Sequence, residues 1–459
     1  MKDMKKILYV PVLCGAMILS GCAGTVERSA ETSLALPESF SVSGTAASPE
    51  QWWLAFEDDQ LNQLIDQSLT DNFSLKSSWA RLTQARALYD KTRAGLFPTV
   101  DGDGSASHSI DYNDGSTTKS DRLSLGLSAS YELDLWGRID SEVEASRLDL
   151  EATAADLDAA AMTISAAVAG TWYRLIRQRA SLELYDEQIQ TNTKALDLIS
   201  AQFRTGQVPL ADVLQQRQLI ENQQGQKVQL QSDKGQTEHQ LAILLGQVPG
   251  AQPFEIPVQF TDLPELPDTG IPVDLIRTRP DIRSSFLSLQ AADERVAVAV
   301  AEQYPSLRFF VSLDTINNPT STIFSDYVGS IMASLTAPLF DGGQRKAEVE
   351  RTRGAAEQSL NDYGQTILTA VGEVEDALLV EQKQQEYIKN LQGQLDLAKQ
   401  TMAQIKDRYL KGVENYQRVL TALTSLQSLQ QQMLTAKADL LLNRIELCRA
   451  LGTGWGYST

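Results

Sequence analysis

Displaced by 206 positions, the chain falls on itself. Gly137 meets Gly343, Asp156 meets Asp362, Val168 meets Val374 and Gln188 meets Gln394. Farther on, Ile199 meets Ile405, Gly206 meets Gly412, Val213 meets Val419 and Leu214 meets Leu420, before Leu245 and Gly246 meet Leu451 and Gly452. One register holds without a gap. The chain is therefore two copies of one unit, and whatever it folds into must be built twice.

The chain divides into repeat 1 over 61–248 and repeat 2 over 281–452, with a tail at 453–459. Between them, the connector 249–280 carries Pro249, Pro253, Pro257, Pro264, Pro267, Pro272 and Pro280. So many residues without an amide donor leave little for helix or inner strand, and the segment reads as an extended strap. Each copy opens on a helix, from Leu61 to Phe97 or from Arg283 to Tyr304, stopped by Pro98 or Pro305. Two strands follow. The clearest alternates Leu123, Leu125, Leu127, Ala129, Tyr131, Leu133 and Leu135 with small or polar residues, giving one apolar and one wet face. Its counterpart alternates Ile331, Ala333, Leu335, Ala337 and Leu339, and the preceding strands fall near Thr99–Tyr112 and Ser306–Ile316.

After Gly137 and Gly343 the period changes. No proline occurs over 139–205 or 345–411, and some 65 helical residues would span roughly 100 Å. Leu182, Tyr185, Ile189, Asn192, Leu196, Ile199 and Phe203 step by threes and fours, as do Ile388, Leu391, Leu395, Ala398, Met402, Ile405 and Tyr409. The returning helix of copy two continues the pattern with Val419, Leu423, Leu426, Gln430 and Met433. That is coiled-coil spacing. Gly206 and Gly412 sit where a left-handed residue ends a helix, and Pro209 suits the start of the next. The expectation is two long antiparallel helical hairpins.

Lys2, Lys5 and Lys6 precede the apolar run "ILYVPVLCGAMILSG", which is too short for a convincing membrane span and marks residues 1–21 as a signal peptide. "LSGC", Leu19 to Cys22, resembles the bacterial lipobox, which implies that Cys22 becomes an acylated N-terminus of the segment 22–60. Ala23 follows in place of the Asp that retains such lipoproteins at the inner membrane, implying outer-membrane sorting. Cys14 leaves with the signal, and Cys448 has no disulfide partner, so it reads as a buried helical thiol. The formal net charge is −19 and becomes more negative once the signal and its lysines are removed. Nucleic acid, which needs clustered cations, is thus excluded as a partner. The charge also suggests a negative lumen or entrance with cation preference.

Strands of roughly 9–11 residues cross a bilayer when tilted. Four of them cannot close a barrel, and an open edge in lipid is forbidden. Either several chains contribute to one barrel, or a soluble four-stranded sheet packs on helices.

"WWLAFEDDQLNQLIDQSL" (Trp52–Leu69), "YELDLWGR" (Tyr131–Arg138), "RPDIR" (Arg279–Arg283), "APLFDGGQR" (Ala337–Arg345) and "RYLKGVENY" (Arg408–Tyr416), in this order, resemble the TolC-like outer membrane factors. The similarity is closer to their lipoprotein branch, the outer-membrane components of multidrug efflux pumps. It implies a mostly α fold with a small β part, assembled as a homotrimer. Three sets of hairpins would form an α-barrel in the periplasm, and four strands per chain a 12-stranded transmembrane β-barrel in outer-membrane lipid. It also implies a passive duct, served by an inner-membrane efflux transporter and a periplasmic adaptor.

In that family acidic residues near the hairpin tips, with Arg and Tyr, hold the entrance nearly shut. The matching positions make Glu414 and Tyr409, with Arg408, the leading gate candidates, and Arg204 and Asp212 weaker ones. Where relatives often carry Asp after the "GV" pair, this chain has Glu414. The strand residues that would face lipid are Leu123, Leu125, Leu127, Tyr131, Leu133, Ile331, Leu335 and Leu339.

An enzyme would need chemistry that this chain hardly offers. Only His108 and His239 are available, and no metal-ligand spacing, nucleotide loop or nucleophile elbow occurs, so no catalytic residue, metal or cofactor is expected. "DGDGS" (Asp101–Ser105) lacks the remaining ligands of a calcium loop and reads as strand-edge sequence. A lipid-anchored coiled-coil scaffold without a pore would share the heptads and the lipobox but would need no amphipathic strands beside them. Within the channel class, an exit duct for secreted protein competes with small-molecule efflux. The cargo, metal included, is not written in this chain.

Overall fold

The computed structural model describes residues 34–46, 51–251, 253–315 and 326–452. They form, in order, helices α1 (Asp59–Asp71) and α2 (Phe73–Arg93), and strands β1 (Thr99–Asn113) and β2 (Ser116–Leu133). Helices α3 (Arg138–Arg204), α4 (Leu210–Leu244) and α5 (Pro280–Ala301) follow, then strands β3 (Ser306–Thr315) and β4 (Tyr327–Thr336). Helices α6 (Gln344–Leu410) and α7 (Tyr416–Leu451) complete the series. Both α3 and α6 are 67 residues long, in the same 206-residue register as the sequence repeat. The chain divides into one compact unit of 84–152 with 285–363, and another of 34–83, 153–284 and 364–459.

The first unit holds an antiparallel sheet in the order β1-β2-β3-β4, so β1 and β4 are its two edges. Asp114 and Gly115 join β1 to β2 and both have positive φ, 47° and 87°. That is the two-residue turn whose twist matches a hairpin. β1 ends one residue past the expected Tyr112, whereas β2 begins at Ser116, well ahead of the alternation expected from Leu123; they run 15 and 18 residues, past the roughly 9–11 that cross a bilayer, while β3 and β4 are 10 each. Leu339 is a correction. It lies beyond the end of β4 at Thr336, because Pro338 has no amide hydrogen to continue the ladder. Ile316 lies outside the described residues.

The second unit is built on one apolar cluster in which Trp52, Phe56, Leu61, Ile65, Trp172, Tyr173, Leu241 and Leu245 are almost fully buried. Asp58 caps α1 by accepting from the Leu61 amide at 3.0 Å and also accepts from Trp172 Nε1 at 2.9 Å. The single helix expected over 61–97 is two. Asn72 interrupts it, its Oδ1 accepting from the Ser74 and Leu75 amides while its Nδ2 donates to the Leu244 carbonyl at 2.8 Å. An amide at this position competes with the helix for its own backbone.

The connector is tied down from both sides. The Gly44 amide donates to the Pro267 carbonyl at 3.1 Å, and the Asp268 amide to Ala46 at 2.8 Å. A Cβ on Gly44 would sit 1.8 Å from the Leu266 carbonyl oxygen, so only glycine allows this approach. Beneath, the buried Arg444 donates to both Glu381 oxygens and, through Nη1, to the carbonyls of Pro264 and Glu265. Arg279 of the "RPDIR" stretch donates to the Ala450 carbonyl at 2.8 Å and so closes the end of α7. Cys448 is free and partly buried on α7, and burial pushes its thiol up to about 12. No helix among the described residues is long and apolar enough to cross a membrane.

Candidate functional site at the hairpin tips

Both hairpins turn by one hydrogen-bond pattern. Gly206 has φ 75°, its amide donates to Phe203, and the Gln207 amide reaches back to Gln202 at 2.9 Å. Gly412 has φ 73°, its amide donates to Tyr409, and the Val413 amide reaches back to Arg408 at 3.0 Å. This 6→1 and 5→2 pair satisfies the last carbonyls of α3 and α6, and needs a residue tolerant of the left-handed region. Beyond it, Pro209 starts α4 without a side-chain cap, whereas the Asn415 side chain accepts from the Arg418 amide and caps α7.

On the second tip, Glu414 lies between two guanidiniums. Arg408 Nε is 3.0 Å from its Oε1, and Arg418 Nη1 is 3.0 and 3.1 Å from its two oxygens. Its side chain is 11% exposed. Burial pushes this carboxyl up, but Arg418 and Arg408 together hold it below the ordinary range. The acid is thus engaged inside its own hairpin. Tyr409 reaches across to the first hairpin, its hydroxyl donating to Gln202 Oε1. Burial raises this phenol, and the nearby Asp212 carboxylate raises it further. Asp212 is itself pushed up by burial. Arg204 is exposed in the last turn of α3 and pairs with no carboxylate among the described residues.

Three tip residues were missed by sequence reasoning: Gln202, Gln216 and Tyr416. Tyr416 is 3% exposed, meets Tyr409 edge-on at 5.7 Å between ring centres, and donates to Gln216 Oε1 at 2.7 Å. Its phenol is raised by burial and by Tyr409. Around it, Ile199, Val213 and Val419 form a buried cluster with Leu196, Met402 and Ile405 against it. The expected seam holds here except at Phe203, which is 40% exposed. The spacing placed Asn192 in the seam but gave no sign of its partners next along it. Gln188, Asn192, Gln223 and Gln427 are buried there and bonded to one another or to neighbouring helices.

The sheet sorts its faces by register. Leu123, Leu125, Leu127, Tyr131 and Leu133 share a face with Val311, Phe309, Ile331 and Leu335, all partly or largely exposed. The opposite face pairs hydroxyls, Thr99 with Ser130, Ser105 with Ser124, Ser109 with Ser120 and Ser312 with Ser330 at 2.7–2.8 Å, and also carries Phe310 against Met332. At the end of the sheet where strands pass into helices, Phe97 and Phe340 are exposed and Trp136 stacks on Tyr304 at 4.8 Å. His108 bonds Asp121 on these strands, Asp101–Ser105 lies in edge strand β1, and His239 is exposed on α4. Among the described residues no group of three His, Cys, Asp or Glu side chains is placed to hold a metal ion. Cys22 lies outside the described residues.

The family model for outer membrane efflux proteins matches residues 64–247 and 271–453. The cation efflux system protein CusC of Escherichia coli O6:H1 is 29% identical over 458 residues, covering 96% of this chain and 98% of that protein. The toluene efflux pump outer membrane protein TtgI of Pseudomonas putida is 29% identical over 417 residues, covering 88% and 87%. Among solved structures, the outer-membrane channel OprN superposes with a TM-score of 0.84 at 28% identity, over 95% of this chain and all of that one.

Proposed function

Because the chain belongs to the outer membrane efflux protein family, we propose that it works as a homotrimeric, passive exit duct gated at its paired hairpin tips. It is the outer-membrane channel component of an efflux system. One observation carries the duct: a four-stranded sheet with an exposed apolar face, an opposite face that is mostly polar and two unpaired edges. An open edge is untenable in lipid, and both edges are satisfied when β4 of one copy pairs with β1 of the next. Three copies make 12 strands, apolar outside and polar inside. Phe97, Trp136, Tyr304 and Phe340, at one end of the sheet, suit the lipid–water boundary on the periplasmic side.

The same reading keeps the division of the chain into a signal, an acylated segment beginning at Cys22, two repeats and a strap. An inner-membrane transporter drives transport and a periplasmic adaptor joins it to the duct. Those partners select the cargo: relatives with this architecture are named for cations and for toluene. The gate is the tip cluster. Tyr409 to Gln202 ties the two hairpins together, Arg408, Glu414 and Arg418 stiffen the second turn, Asp212 lies near both phenols and Arg204 ends α3.

Single-channel conductance of the purified acylated trimer in planar bilayers tests this. Wild type is expected to open briefly and narrowly. Tyr409→Phe and Glu414→Ala should open more often and conduct more, with trimers intact by cross-linking. Variants that insert as trimers and conduct like wild type would sink the gate.

A further inference from the structure

Above the tip, three primary amides from three helices close a ring inside the second unit. Asn192 of α3 donates through Nδ2 to Gln223 Oε1 of α4 at 2.5 Å and to Gln427 Oε1 of α7 at 3.3 Å. Gln223 Nε2 donates to Gln427 Oε1 at 3.0 Å, and Gln427 Nε2 returns a bond to Asn192 Oδ1 at 3.2 Å. All three are buried, Asn192 completely. Gln188, one turn away, donates to the Gln427 carbonyl and to Gln430 Oε1, both at 3.2 Å.

Leucines in a heptad seam find equivalent neighbours when one helix slips along another. Amides do not. A slip that parts this ring strands several buried donors and acceptors, each carrying its full desolvation cost. The ring is also wired to the tip. Gln216 Nε2 donates to the Asn192 backbone carbonyl at 2.8 Å, its Oε1 accepts from Tyr416, and Tyr416 packs on Tyr409, which holds Gln202.

We propose that Asn192, Gln223 and Gln427 are positioning residues for the tip: they fix the register of α3, α4 and α7 and thereby set the closed state, a role that rests on the gate reading above. No charge takes part in the ring. Its contribution is therefore specificity of alignment more than stability, as for a buried asparagine in a coiled coil.

The test compares the full-length acylated trimer with the variant Asn192→Val, Gln223→Met and Gln427→Met, whose side chains keep similar bulk without the amides. Nitroxides at Thr193→Cys and Ser428→Cys, both exposed in the chain, report the distance between α3 and α7. Wild type should give one narrow distance. The apolar variant should give a broadened or displaced one, with a melting temperature equal or higher and openings about tenfold more frequent. The exchanged pair Asn192→Gln with Gln223→Asn retains three amides and should restore closure. If the triple variant does not fold, Gln427→Met alone takes the same measurements.

A narrow wild-type distance in the apolar variant overturns the register role, whatever the tip variants do. A broadened distance with wild-type opening overturns the link to the gate. Tyr409→Phe, measured alongside, reports separately on the tip. If it leaves opening unchanged while the apolar variant opens, the tip lock falls and the ring itself is what holds the hairpins.

Discussion

At the first hairpin tip, Gln202, Phe203, Val208, Leu210 and Asp212 stand where Arg408, Tyr409, Glu414, Tyr416 and Arg418 stand at the second. The backbones of the two turns match in donor and acceptor of the two bonds that close them, from Gly206 and Gln207 and from Gly412 and Val413. The side chains do not. Leu210 is 51% exposed and Tyr416 is 3% exposed. The charged bridge and both phenols belong to the second tip alone, yet the phenols find their acceptors, Gln202 and Gln216, on the first. A duplicated unit supplies one backbone twice; the phenol bonds between the hairpins exist because one copy carries the donors and the other the acceptors.

The largest expected effect comes from erasing that difference. Tyr416→Leu gives the second tip the residue of the first, but leaves Gln216 Oε1 buried without its donor. The cost should be about 1–3 kcal/mol. The reciprocal Leu210→Tyr, at an exposed position, should fall within about 0.5 kcal/mol of wild type. Denaturant melts of the two variants check it. Equal losses would mean that the tips are interchangeable.

An intermediate effect should be the same at both tips. A Cβ on Gly206 or Gly412 meets nothing within 4 Å, so alanine at either position suffers only its left-handed φ. Each substitution should cost about 1–2 kcal/mol. Thermal melts that separate the pair widely would show that the backbones are less alike than their hydrogen bonds.

These pairs also mark what could be read from sequence. Gly206 and Gly412, the proline-free runs and the repeat fixed the hairpins, because a left-handed stop and helical continuity are local properties. Leu123 to Leu133 disclosed an apolar face because a period of two is local too. Gln202 as the partner of Tyr409 was not readable, since it depends on which faces of two hairpins meet across 207 positions. Asn192 was readable as a seam position, but Gln223 and Gln427 look like solvated helix residues until three helices enclose them. The full reach of β2 was hidden for another reason. Its outer part, Ser116 to Asp121, is serine, threonine, lysine and aspartate without apolar alternation, and the turn pair Asp114 and Gly115 was the one local sign of the hairpin end.

The smallest effect is one of pH, and it should touch only the second tip. Arg418 and Arg408 hold the folded Glu414 carboxyl below its unfolded value of 4.5, against the upward push of burial. A depressed carboxylate contributes its stabilisation above the unfolded value and loses it as pH falls through the folded one. The bridge should therefore be intact at neutral pH and weaken progressively below about 4.5. Val208 occupies the same position in the first tip and carries no charge to lose. Openings should become more frequent on acidifying the entrance side into that range, and Glu414→Gln should remove the dependence without altering the hairpin turn. The neutral amide still accepts from Arg408 and Arg418, so the variant isolates charge from contact. An acid response that persists in Glu414→Gln would move the titrating group elsewhere, to Asp212 first, whose carboxyl is pushed up by burial and lies near both phenols.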